Sequence, residues 1–337
     1  MTPSRNTRAR WLCGGLALLL ACTPAIAQDR AQPASGQANA GTNAALTAES
    51  VNAADAGAGD AAMLRAQVLL DRAHFSPGEI DARGGTNTRR AVLAFQRHRG
   101  LEASGEFDAR TWDALTGDGA PALVAHTLTA DDVAGPFARV PDDMMAQAKR
   151  DALGFESVAE ALGERFHASP ALLRRPNPGR SFRAGARIVV PNVADAGELA
   201  KPERVVVSKS DSVVRLVDAA GKVYAQFPAS TGTERDPLPI GEWKIEGVAE
   251  NPTFHYNPDL FWDADPGHAK ATLPPGPNNP VGTVWIDLSK PHYGIHGTPE
   301  PANIGKTQSH GCIRMTNWSA RRVAGVVGPG TVVLLEE

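Results

Sequence analysis

The chain has 337 residues, 34 Lys and Arg against 37 Asp and Glu, and a formal net charge of −3 at neutral pH. That near balance leaves no basic footprint for nucleic acid, and no phosphate-cradling glycine loop points to nucleotide chemistry. Of the three cysteines, Cys13 and Cys22 fall in an N-terminal apolar run, which leaves Cys312 as a lone thiol without a disulfide partner.

Arg5, Arg8 and Arg10 precede apolar residues from Trp11 to Ala21, and Ala25-Ile26-Ala27 follows with the small-x-small pattern of a cleavage site. Residues 1–27 therefore read as a secretory signal peptide. The apolar run is too short to span a bilayer, so no transmembrane helix is expected in the mature chain. A second reading is a loose lipobox, Leu19-Leu20-Ala21-Cys22, with lipidation at Cys22. Leu fits poorly just before the small residue, and cleavage after Ala27 is preferred. Loss of the three arginines takes the net charge from −3 to about −6. Residues 28–58 are Ala, Gly, Gln, Asn and Ser with few large apolar side chains, and are expected to form a disordered linker.

Order is expected from about residue 59. Met63, Val68, Leu69 and Leu70 follow a helical pattern, Phe75-Ser76-Pro77-Gly78 marks a turn, and Thr88 to Arg97 predicts a second helix. Asp108 and Thr111 introduce a third around Trp112 and Leu115. Phe95, Leu101 and Trp112 are expected to be core. Ser76-Pro77-Gly78-x-Ile80-Asp81, Asn87-Thr88-Arg89, Ala94-Phe95-Gln96 and Gly105-x-x-Asp108 resemble the three-helix peptidoglycan-binding domain over residues 59–117, which implies contact with glycan. Residues 118–148 read as a Pro/Asp-rich linker, with a helical pattern resuming at Met144. In 149–194, an amphipathic helix from Phe155 to Phe166 is followed by a helix opened by Ser169-Pro170. An Asn177-Pro178 turn then leads to the strand Ile188–Pro191. This order is similar to the second half of a LysM module, with a weak first strand. Such modules on flexible linkers would raise the local concentration of an enzyme at an immobile polymer.

From about residue 203 to 336 the pattern changes to short Val- and Ile-rich strands: 204–207, 213–217, 223–227, 243–245, 283–288 and 331–335, with a hairpin turn at Asp218–Gly221. That is enough for one self-sufficient β domain, and the whole chain reads as multidomain α+β. A long irregular stretch carries Phe254, His255, Tyr256, Phe261 and Trp262, either as a lid over a groove or as an outer cap on the core.

Cys312 sits in Ser309-His310-Gly311-Cys312-Ile313-Arg314, downstream of Tyr293-Gly294-Ile295-His296-Gly297-Thr298. A free thiol titrates near 8.5, so a nucleophilic role needs an imidazole or dipole to activate it. Strand alternation puts Gly294 and His296 on one face, from which His296 can reach the sulfur. Gly311 permits a tight turn whose backbone N–H groups can aim at an oxyanion, and Arg314 offers a cation for a substrate carboxylate. His310 either takes part in the chemistry or orients backbone. Zinc is set aside, because the close pairs here are His-x-Cys and His-x3-His without structural-zinc spacing.

His296-Gly297-Thr298 followed by Ser309-His310-Gly311-Cys312 and Arg314 resembles the signature of the L,D-transpeptidases with a YkuD-type catalytic domain. Pro239–Ile245 and Pro274–Gly282 extend the likeness over roughly 203–335. The resemblance implies a C-terminal β-sandwich, no cofactor, and a peptidoglycan cross-linking enzyme of the periplasm or cell envelope of a Gram-negative bacterium. It implies Cys312 as nucleophile, His296 as base, the Gly297 carbonyl orienting that imidazole, and the Gly311 and Cys312 amides as oxyanion donors. Ser309, His310, Arg314, Tyr293 and Thr298 would line the substrate pocket. The partners implied are peptidoglycan stem peptides and glycan, with carbapenem-type inhibitors acylating the thiol. Two alternatives are a cysteine-dependent endopeptidase or carboxypeptidase on the same residues, and a non-catalytic wall-binding protein.

Overall fold

The computed structural model describes residues 46–337 apart from Ala58 and Asp195. The signal-peptide reading and the first part of the linker lie outside the described residues. Helix α1 (Ala48–Asn52) begins inside the stretch expected to be disordered. Its order has a local and a long-range cause. Thr47 and Ser50 form a capping box, Leu46 and Val51 are buried, and the Asn52 side chain holds both backbone groups of Leu123.

Helices α2 (Asp60–Arg72), α3 (Thr86–Arg99) and α4 (Ala109–Thr116) form the expected three-helix unit. Asp108 caps α4 by accepting from the Thr111 amide, and α3 stops at Gly100 in the left-handed conformation. Phe95 and Trp112 are buried, and Phe75 packs edge-on against Phe95 with ring centroids 5.9 Å apart.

The next unit differs from expectation at its start. Strand β1 (Leu123–Thr127) lies in the stretch read as a linker, and helix α5 (Met144–Gln147) begins where the helical pattern resumes. Helices α6 (Val158–Arg165) and α7 (Pro170–Arg174), capped by Ser157 and Ser169, follow, and β2 (Arg187–Pro191) pairs antiparallel with β1. Alternation in β1 is blurred by His126 and Thr127 at its exposed end, so its apolar signal is short.

The C-terminal domain contains β3 (Arg204–Ser208), β4 (Val213–Val217), β5 (Val223–Pro228), β6 (Gly241–Glu250), a separate hairpin of β7 (Phe254–Tyr256) and β8 (Ala271–Leu273), then β9 (Val284–Leu288), β10 (Gly294–His296), β11 (Ile313–Arg314), helix α8 (Asn317–Ala324) and β12 (Val332–Glu336). Eight strands form one sheet in the order β11-β10-β9-β6-β12-β3-β4-β5. The long strand β6 is shared: its first half pairs with β12 and its second with β9, with a register shift between Ile245 and Gly247. A bulge there bends the sheet, so that Val205, Leu216 and Phe227 from one half meet Ile286, Ile295 and Ile313 from the other in a single core. The sandwich is thus one curled sheet.

The units are packed together, not strung on flexible linkers. The open edge of β5 is covered by the helical unit: the Ser76 amide donates to Gln226 O, and the Gln226 amide to His74 O, both at 2.9 Å. Behind this contact Asp71 is fully buried. Arg322 of α8 reaches its carboxylate at 3.1 Å and its carbonyl at 3.1 Å, and His167 reaches the carboxylate at 2.9 Å. The His167 ring in turn stacks on Trp318, 5.2 Å between centroids. Burial alone would raise the Asp71 carboxyl, but Arg322 and His167 outweigh it and hold it well below the usual range.

Three units therefore share one buried ion pair. Asp71→Ala leaves Arg322 without its partner and should cost about 3–5 kcal/mol, read from the denaturant midpoint. Because the native carboxyl is depressed, this contribution is complete above the unfolded value near 4 and is lost as pH falls below it. The stability gap between wild type and Asp71→Asn should therefore narrow below about pH 4. A constant gap down to pH 3 would contradict the pairing.

Candidate active site

The site is placed by a short parallel pairing. Ile295 of β10 is opposite Ile313 of β11 and His296 is opposite Arg314. Both isoleucines are fully buried in the core, so the alternating neighbours Gly294, His296, Cys312 and Arg314 project to the opposite face. Gly294 leaves room there. A Cβ at that position would lie 2.5 Å from the Trp285 ring, which stacks on His296 with centroids 5.5 Å apart and planes 21° apart.

His296 is 5% exposed, and its Nδ1 lies 2.7 Å from the Gly297 carbonyl. A carbonyl oxygen only accepts, so Nδ1 carries the proton and Nε2 presents a lone pair. Burial pulls the imidazole down to about 4. The Gly297 carbonyl works the other way, and the Arg314 cation adds to the depression. Cys312 is half-buried and its thiol is directed at the His292 carbonyl, 3.6 Å away. Burial pushes the thiol up to about 11, against the Gly294 amide and Arg314. An activated resting thiolate, the condition expected from the sequence, is therefore not what the geometry holds. Thiol and imidazole are both neutral near pH 7.

The turn before Cys312 is held rigidly. Gly311 has φ of +105°, and a Cβ there would meet the Tyr293 ring at 3.0 Å. Among the described residues, the Gly311 and Cys312 amides donate to no backbone carbonyl outside the strand ladders, which leaves them available as a donor pair. Ser309 is buried. Its hydroxyl donates to Cys312 O at 2.5 Å and its amide to Thr231 O at 2.9 Å, so it braces the turn instead of lining the pocket. Thr298 is also buried, with its amide on Asn317 Oδ1 and its hydroxyl accepting from the Glu300 amide. Both hydroxyls are thus engaged with backbone groups. Arg314 is half-buried; its guanidinium donates to Gln308 O, while its Nε is buried with no partner among the described residues.

His310 is exposed. Its Nε2 is 2.8 Å from Asp263, and Phe261 and Trp262 flank the ring at 5.3 and 5.9 Å. Trp262 in turn lies under the Arg235 guanidinium, 4.6 Å from centroid to cation. The aromatic stretch therefore has two ends. Phe254, Tyr256 and Leu273 form a small core with Met144, Met145 and Leu153, and Phe261 to Asp263 abut the motif at His310.

Sequence reasoning passed over Trp285, Asp263 and above all Asn317. The signal for Asn317 was the capping pattern Thr316-x-x-Ser319 beginning α8 right after the motif. A cavity of about 690 Å³ lies elsewhere, lined in part by His126, His167, Arg165, Arg321 and Arg322. Each of those arginines is already paired with Asp132, Glu164 or Asp71, so the cavity has no surplus cation.

Residues 202–335 match the family model of the YkuD L,D-transpeptidase catalytic domain, and residues 60–115 match that of the "Putative peptidoglycan binding domain". The chain is 32% identical over 172 residues to "Putative L,D-transpeptidase YkuD" of Bacillus subtilis, covering 50% of this chain and 88% of that protein. Its counterpart in Bacillus licheniformis is 30% identical over 177 residues, covering 52% of this chain and 90% of that one. A solved L,D-transpeptidase from Xylanimonas cellulosilytica aligns over 83% of this chain and 94% of its own, at 16% identity and a TM-score of 0.35. On the two Bacillus relatives, each covered almost end to end, the chain belongs to the L,D-transpeptidase family with a YkuD-type catalytic domain.

Proposed function

We propose that this L,D-transpeptidase acts outside the cytoplasmic membrane, exported by residues 1–27, and that Cys312 and His296 carry its acyl transfer between peptidoglycan stems. The observation that supports the assignment most strongly is the His296 tautomer. With Nδ1–H on the Gly297 carbonyl, Nε2 is unprotonated on the face that also bears Cys312.

The neutral pair sets the order of events. With the imidazole pulled down and the thiol pushed up by burial, the neutral pair is favoured over a standing ion pair, and proton transfer accompanies attack. The Cys312 sulfur bonds to the carbonyl carbon between the L-centre of the stem diamino acid and its terminal D-Ala, and its proton passes to His296 Nε2. The Gly311 and Cys312 amides hold the oxyanion. The C–N bond then breaks, His296 returns its proton to the departing amine, and D-Ala leaves. An amine on a second stem attacks the thioester and gives its proton to His296. The C–S bond breaks, and the thiol is restored. The Arg314 cation, half-buried beside the thiol, would meet a stem carboxylate, and Tyr293 walls the turn. No step consumes ATP, because the thioester keeps the acyl group activated. Carbapenem-type lactams present a strained amide to the same nucleophile and should acylate Cys312.

The helical unit and the βααβ unit are proposed to hold the enzyme on glycan. Because they are packed on the catalytic domain, they would orient it as well as concentrate it.

Alkylation of Cys312 by iodoacetamide should rise with pH without a plateau near neutrality, following a thiol that ionises near 11. A plateau between pH 6 and 8 would mean a preformed ion pair. The activity itself is tested by mass spectrometry of residues 28–337 incubated with disaccharide-tetrapeptide. A dimer lacking one D-Ala, absent with Cys312→Ala, is expected. Tripeptide alone would instead indicate hydrolysis, and products independent of Cys312 would overturn the assignment.

A further inference from the structure

We infer that Asn317 and Glu164 form a positioning pair for His296, so that a residue from outside the catalytic domain holds the catalytic turn in register. This rests on His296 being the base. Asn317 lies at the start of α8, and its carboxamide is fully used. Oδ1 accepts from the Thr283 amide at 3.1 Å and from the Thr298 amide at 3.0 Å. Nδ2 donates to the Pro277 carbonyl at 3.2 Å and to the Glu164 carboxylate at 3.4 Å. Two acceptor sites and two donors are filled, which is the capacity of the group. Rotating the amide by half a turn would set N–H against N–H and oxygen against oxygen at these four contacts, so its orientation is fixed from both ends.

The link to His296 is one peptide plane. The Thr298 N–H that Asn317 holds belongs to the same planar unit as the Gly297 carbonyl, which receives His296 Nδ1–H at 2.7 Å. Fixing the N–H side of that plane fixes the carbonyl side, and through it the imidazole tautomer. Glycine is required around the clamp: a Cβ at Gly282 or Gly297 would lie 2.0 Å from Asn317 Oδ1. Glu164 comes from α6 in the unit between the helical and catalytic domains, and its side chain is 10% exposed. Its other oxygen is paired with Arg321 of α8, so α6 grips α8 at two adjacent points. Neither Glu164 nor Asn317 touches the thiol. Their effect on chemistry runs through the Gly297–Thr298 peptide.

The test uses residues 28–337 with ¹⁵N-labelled histidine, reading the His296 ring shifts and the rate of Cys312 acylation by a carbapenem. Glu164→Leu should slow acylation about ten- to hundred-fold, the scale of a small misplacement of a catalytic group, and shift His296 from the Nδ1–H form towards a mixture. Glu164→Gln, which can still accept from Asn317, should restore most of both. Asn317→Asp keeps the shape but sets an oxygen against the Pro277 carbonyl and the Glu164 carboxylate, and should behave as Glu164→Leu does; it also serves if the leucine variant does not fold. Wild-type rates and unshifted His296 signals in either folded variant would overturn the inference. Ring signals that shift in the variants while wild type fails to acylate would uphold the positioning and defeat the base assignment.

Discussion

The structure depends on the parallel contact between Ile295 and Ile313. Each isoleucine is driven into the core by burial, and the pleat then has no choice but to send His296, Cys312 and Arg314 to the opposite side. A slip of one residue in this register would bury the imidazole's face in the core and expose an isoleucine, so hydrophobic burial enforces the catalytic geometry. The rest of the domain serves that contact. The bulge in β6 curls the sheet to enclose both isoleucines, and the Ser230 backbone holds the far side of Arg314 by a hydrogen bond in each direction at 2.9 Å.

Reactivity is stored in arrangement more than in charge. An imidazole pulled down to about 4 and a thiol pushed up to about 11 are inert towards each other at rest. A preformed thiolate would be open to oxidation, whereas a neutral thiol at a prepared turn reacts when a carbonyl is seated. The supporting polar groups are already engaged: Ser309 on the cysteine's carbonyl, Asn317 on the peptide after the histidine, His310 on the Asp263 carboxylate.

What the sequence conveyed was local. The Val-rich strands, the Asp108 and Ser169 caps and the His-to-Cys motif carry their signal within a few residues, and each was legible. Elements stabilised by distant partners were not. Strand β1 finds its partner in β2, some sixty residues on, and α1 owes its place to Leu123. The site divides the same way. Cys312, His296, Gly311 and Arg314 could be named from spacing. The family resemblance implies Ser309 and Thr298 as pocket residues, and only the folded chain shows both buried with their hydroxyls on backbone groups. Asn317 and Glu164 are ordinary polar residues of two helices until the chain brings them together.

The most direct measurement is intact-protein mass spectrometry of residues 28–337 quenched in acid within a single turnover on tetrapeptide stem, followed by peptide mapping. Thioester chemistry predicts a transient adduct of the stem acyl group less D-Ala, on the peptide containing Cys312 and released by hydroxylamine. Turnover with no such adduct, or an adduct on any other residue, would contradict it.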